Sequence, residues 1–146
     1  MKVAIIYGST SDEGIMKNAS EVLSEFNISC EEFVVSAHRN PKLLLEIINK
    51  LQAEKYECII AGAGLSAHLP GFIASNTLIP VIGIPIDVSL GGLDSLLSIV
   101  QMPKPIPVAT VGINNSYNAA ILAVQILSVK YEDLKYKLEK IRAVKN

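Results

Sequence analysis

Lys2-Val3-Ala4-Ile5-Ile6-Tyr7-Gly8-Ser9-Thr10-Ser11-Asp12 is an apolar, β-branched run that breaks into a short polar loop. Behind it, Ile15, Ala19, Val22, Leu23 and Phe26 recur at three- and four-residue spacing, the period of a helix with one buried face. Strand, polar loop and amphipathic helix in that order form the first part of a βαβ unit. The pattern then repeats. Residues 28–35 predict a second strand, ending in Ser36-Ala37-His38-Arg39-Asn40-Pro41. Pro41 suits a first helical position, and Leu44, Ile47, Ile48 and Leu51 supply the inner face of the helix it opens. Residues 58–61 predict a third strand running into the loop from Gly62 to Gly71, with a short helix to about Asn76. Strands four and five are expected at 81–84 and 108–111, on either side of a helix over 93–100 that follows Gly91-Gly92. A final long helix is expected from near Asn115 past Ile141.

Strands that are apolar on both faces and alternate with helices indicate a parallel sheet covered on both sides. The fold class is therefore α/β: a three-layer, flavodoxin-like domain with a five-stranded parallel sheet in the order 2-1-3-4-5 and a long C-terminal helix. Right-handed crossovers favour that order. It places strand 1 between strands 2 and 3, so the loops after all three open on one edge of the sheet, where ligands of such folds bind. It also sets Cys30 and Cys58 a whole strand apart, roughly 10 Å, too far for a disulfide.

With 146 residues, the chain is expected to be a single catalytic domain spanning 1–146. Apolar residues make up 50% and charged residues 18%, which excludes a disordered chain. The net charge of −1 argues against binding nucleic acid or an anionic membrane by bulk electrostatics. No apolar stretch approaches the length of a membrane span, and the N-terminus lacks the pattern of a signal peptide. A cytoplasmic location is expected. Charge is unevenly spread: between Cys58 and Val129 the only formal charges are Asp87, Asp94 and Lys104. Such a half-chain can hardly cover its own wet surface, so a homo-oligomer is expected, with helices of this half buried between subunits.

Three loops could carry chemistry. Gly8-Ser9-Thr10-Ser11-Asp12 leads from a strand into a helix, where free backbone amides and hydroxyls can hold a phosphate. Ser9-x-x-Asp12 equally matches a helix-capping box. Asp12 would repel a phosphate but could accept hydrogen bonds from sugar hydroxyls. In the second loop Ser36, His38 and Arg39 fall within four residues. A guanidinium grips phosphate through paired hydrogen bonds, and a histidine beside it can pass a proton in both directions. The same residues could simply cap a helix. In the third loop, Ala63, Leu65, Ala67 and Leu69 surround His68 with apolar groups, and Gly62, Gly64 and Gly71 permit close backbone approach. His68 reads either as a core residue or as part of a dry pocket shared with His38. Two histidines without a third nearby ligand do not make a metal site, and no GxSxG elbow, Walker A or GxGxxG sequence occurs.

Taken together, these loops resemble the class I enzymes of purine biosynthesis, the N5-carboxyaminoimidazole ribonucleotide mutases. The run Asp94-Ser95-Leu96-Leu97-Ser98-Ile99-Val100-Gln101-Met102-Pro103 and the segment Asn118-Ala119-Ala120 resemble that family too. The resemblance implies an octamer acting on a small phosphoribosyl-imidazole, with neither cofactor nor metal. It implies that Ser9, Ser11 and Arg39 bind the phosphate and Asp12 the ribose. Ser36 and His38 would face the imidazole, and Ala63, Gly64, His68 and Leu69 would line the pocket for the transferred carboxyl. His38 is expected to be the acid–base group. Glu13 stands where the family often has Trp, and Lys104-Pro105 where a glycine is common. Two rivals remain. One is a class II aminoimidazole ribonucleotide carboxylase using free CO2, in which a lysine usually stands at the position of Arg39. The other is a flavodoxin-like FMN-binding electron carrier, disfavoured here by the lack of Trp and the near-neutral charge.

Overall fold

A computed structural model describes residues 1–143. Five parallel strands, β1 (Lys2–Tyr7), β2 (Ser29–Val34), β3 (Cys58–Gly64), β4 (Val81–Ile86) and β5 (Ala109–Thr110), form one sheet in the order β2-β1-β3-β4-β5. The order expected from the sequence is the one observed.

The two faces of β1 show how sequence makes the layers. Val3, Ile5 and Tyr7 point to one side and pack with Met16, Leu23 and Phe26 of the α1 region (α1, Glu13–Glu25). Ala4 and Ile6 point to the other, against Leu44, Ile48 and Leu51 of α2 (Pro41–Ala53). Alternate side chains of a strand face opposite ways, so a run apolar at every position must be covered twice. Helices α3 (His68–Ala74) and α4 (Leu93–Val100) join α2 on its side, through Ile73 and Ile99. Helix α5 (Ser116–Ser128) joins α1 on the other, burying Ala119, Ala120, Ala123 and Val124. Burying each large aliphatic side chain stabilises the fold by about 1.5–3 kcal/mol.

Three expectations need correction. The C-terminal helix is not continuous: α5 ends at Ser128 and a separate α6 runs Glu132–Ala143. The amides of Lys130 and Tyr131 both reach back to the carbonyl of Leu127 at 2.9 Å, which closes the first helix and turns the chain. The turn lets Leu134 and Leu138 return to the core beside Phe26 and Leu127, burial that a straight extension would forgo. β3 runs three residues further than expected, so Gly62, Ala63 and Gly64 are strand, paired with β4. β5 shrinks to two residues.

The cysteines stand as expected. Cys30 and Cys58 are the register partners of Val3 on its two sides, and both are free. Burial pushes the Cys58 thiol up to about 12.

Candidate active site

At the carboxyl ends of β1, β2 and β3 the chain opens into a cleft of about 570 Å³. The first wall is built from the end of β1. Ser9, in extended conformation, caps a 3-10 turn over Thr10–Asp12 that leads into α1. Its Oγ accepts from the Ser11 amide at 3.3 Å and from the Ser11 hydroxyl at 2.9 Å. Ser11 Oγ is also 3.2 Å from Asp12 Oδ1. Ser9 thus caps the turn, but through the Ser11 amide, while the Asp12 amide that a capping box would use donates to the Ser9 carbonyl; Ser9 and Ser11 both line the cleft. Asp12 is only 7% exposed. Burial raises its pKa, against the lowering effect of bonds from the Ser11 hydroxyl and the Ser9 backbone.

The second wall comes from the loop between β2 and α2. Ser36 Oγ accepts from the Arg39 amide at 3.3 Å, which fixes the turn that presents His38 and Arg39. Arg39 Nη2 crosses to the first wall and donates to the Gly8 carbonyl at 3.4 Å. The third wall is the end of β3 and the start of α3. Ala63 and Gly64 form the floor, Leu69 is buried, and His68 is exposed to the opening. Nε2 of His38 lies 2.7 Å from Nδ1 of His68, with the rings nearly perpendicular at 88°.

All ten residues singled out from the sequence line this one cleft: Ser9, Ser11, Asp12, Ser36, His38, Arg39, Ala63, Gly64, His68 and Leu69. Gly8 of the first loop and Leu65 beside His68 line it too, as do Ala37, Ser66 and Val88, to which no role was assigned from the sequence. Val88 follows β4 at the same sheet edge, so the rule that ligands gather at strand carboxyl ends was the signal for it. Two local readings change. Gly64 does line the cleft, but Gly62 and Gly71 do not: they make room for side chains, since a Cβ on Gly62 would lie 2.3 Å from Met16 Sδ and one on Gly71 2.8 Å from Met102 Sδ. The cleft of the single chain is open rather than dry, with Leu65 and Val88 at its rim 51% and 58% exposed. Among the described residues no cluster of three or more His, Cys, Asp or Glu could hold a metal ion. No described helix is long and apolar enough to cross a membrane.

Fold and cleft define a class: an open α/β domain whose site, at the point where strand order reverses, joins hydroxyls and a guanidinium to a pair of imidazoles. A family model described as AIR carboxylase matches residues 2–146, and the chain belongs to that family. It is 56% identical over 142 residues to the N5-carboxyaminoimidazole ribonucleotide mutase of Pyrococcus abyssi, a match covering 97% of this chain and 82% of the relative. The Bacillus subtilis protein of the same name is 50% identical over 143 residues, covering 96% and 88%. The crystal structure of Treponema denticola PurE superposes with a TM-score of 0.91 at 27% identity, covering 99% of this chain and 90% of that one.

Proposed function

We propose that the chain is an isomerase of purine (IMP) biosynthesis. It converts 5-carboxyamino-1-(5-phosphoribosyl)imidazole to 5-amino-1-(5-phosphoribosyl)imidazole-4-carboxylate. The single observation that carries this is the meeting of Arg39, the Ser9–Ser11 pair and the His38–His68 pair in one cleft. The mutase names of the Pyrococcus abyssi and Bacillus subtilis relatives support isomerisation over capture of free CO2.

In this reading Ser9, Ser11 and Arg39 hold the phosphate, where a guanidinium's paired donors match its oxygens. Asp12 accepts from the ribose hydroxyls. His38 donates a proton to the carbamate nitrogen, and the bond from that nitrogen to the carboxyl breaks to release CO2. Ring carbon 4, made electron-rich by the free amine, attacks the trapped CO2. His38 then takes the proton from carbon 4, and aromaticity returns. No oxidation state changes and the proton is recovered, so the transfer itself calls for no redox cofactor. Ala63, Gly64 and Leu69 border the space for CO2, whose loss to solvent would end the cycle without product.

Retention of CO2 is also the reason to include a second copy of the chain. Leu65 and Val88 at the rim, with Leu90, Leu93, Leu97 and Val100 beyond them, form an exposed apolar band in the charge-poor half. Exposed bands of this kind mark interaction surfaces. The working form is a homo-oligomer, an octamer by family resemblance, acting in the cytoplasm.

The decisive assay supplies the carboxyamino ribonucleotide without ATP, bicarbonate or metal and follows the 4-carboxylate. Rapid conversion is expected. Product formed only from the aminoimidazole ribonucleotide plus bicarbonate would overturn isomerisation in favour of the class II reaction.

A further inference from the structure

The short contact between the two imidazoles decides which nitrogen of His38 can react. We propose that His68 is a positioning residue that holds Nε2 of His38, so that the proton of the reaction leaves and returns at Nδ1 of His38. This rests on the isomerase reading for the reaction and goes beyond it in assigning the atom.

Nε2 of His38 and Nδ1 of His68 are 2.7 Å apart, so one carries hydrogen and the other offers a lone pair. Charged His38 carries hydrogen on both nitrogens. In that state Nε2–H must donate and Nδ1 of His68 must accept. When the N–H bond at Nδ1 of His38 breaks and its proton passes to the carbamate nitrogen, the ring becomes neutral and keeps Nε2–H. The inner hydrogen bond is unchanged. When the C–H bond at carbon 4 breaks, its electron pair stays in the substrate ring and the proton returns to the lone pair on Nδ1. His38 alternates between cation and neutral base, while His68 stays neutral with its hydrogen on Nε2. Neither ring needs to turn during the cycle. His68 is well anchored as a fixed acceptor, because it is the first residue of α3, and Ala67 and Leu69 on either side are buried at 1% and 3% exposure. His38 lies in a loop and gains its orientation from the partner ring.

The test uses the full chain labelled with ¹⁵N in histidine, in spectra that report which ring nitrogens carry hydrogen. In the neutral state both rings are expected as the Nε2–H form. A neutral His38 found as the Nδ1–H form overturns the assignment. His68→Phe keeps a flat ring but removes the acceptor. It should give His38 as a tautomer mixture and lower kcat about 10²-fold, the scale of a misplaced reacting group, with KM within about twofold. His68→Asn, whose Oδ1 takes the place of Nδ1, should restore most of the kcat, and His68→Gln should not. A Phe variant with native kcat or native His38 spectrum, or rescue by Gln as good as by Asn, sinks the proposal. The spectra need no substrate. The stated tautomers without turnover would therefore discard the assigned reaction, and turnover with the other tautomer would discard only the role of His68.

Discussion

Arg39 Nη2 donates to the carbonyl of Gly8 at 3.4 Å, joining loops 31 residues apart. The contact bridges two walls of the cleft, so the cation stands beside the Ser9–Ser11 hydroxyls. In the proposed reaction that adjacency is the phosphate cradle.

Replacing Arg39 by Ala should raise KM about 10–100-fold, since hydrogen bonds to a charged group contribute about 1.5–3 kcal/mol. Arg39→Lys should recover part of the loss, because an ammonium is a point charge without the paired donors. Steady-state kinetics on the three proteins checks this. An Ala variant with native KM would remove the phosphate from this wall.

Asp12 should show opposing effects on stability and activity. Burial lifts its folded pKa above the usual carboxylate value of 3.8. A raised folded value means folding favours the neutral acid. Its contribution is present below the unfolded pKa and fades as pH rises through the folded one. At pH 7 the ionised group therefore costs stability. Asp12→Asn should melt no lower than the parent at pH 7, lose its advantage as pH falls toward about 4, and turn over substrate poorly. Thermal melts at the two pH values, with one activity assay, test both halves.

Gly62→Ala should destabilise the fold by about 1–3 kcal/mol, the usual cost of overpacking a core. The new methyl would fall 2.3 Å from Met16 Sδ. Denaturant unfolding of the single variant measures the loss. Gly62→Ala combined with Met16→Ala should recover part of it if the clash is the cause.

Leu93 and Leu97 lie one turn apart on α4, 53% and 44% exposed. Leu97→Glu should reduce the mass seen by light scattering, because a buried interface penalises an unpaired charge. It should also lower turnover if a second copy helps close the cleft. A parent that is monomeric at micromolar concentration would defeat the oligomer itself.

Much of this was legible from residue order because the sheet and the loops obey local rules. Apolar runs at positions 3–7 and 58–61, alternating with helical patterns, read as strands covered on both faces, and chain-crossing rules then favoured the order that brings these loops together. What escaped was set by tertiary packing. The break after Ser128 carries no Gly or Pro; it arises because Leu134 and Leu138 gain burial by folding back. The extension of β3 through Gly64 depends on pairing with β4, which no residue within the segment reports. At the site, residue types were readable, but the 2.7 Å approach of His38 to His68 depends on the spacing of two strands and a helix start. Val88 belonged to a loop without any polar signature.

The sheet is asymmetric in a way that bears on how the protein breathes. β1, which feeds the cleft, is hydrogen-bonded along its length to a strand on each side, whereas β5 clings to β4 by two residues. Amide hydrogen exchange should therefore be slowest in β1 and β3 and fastest at the β5 margin. Small excursions at that margin can come and go without loosening the grip on a bound molecule.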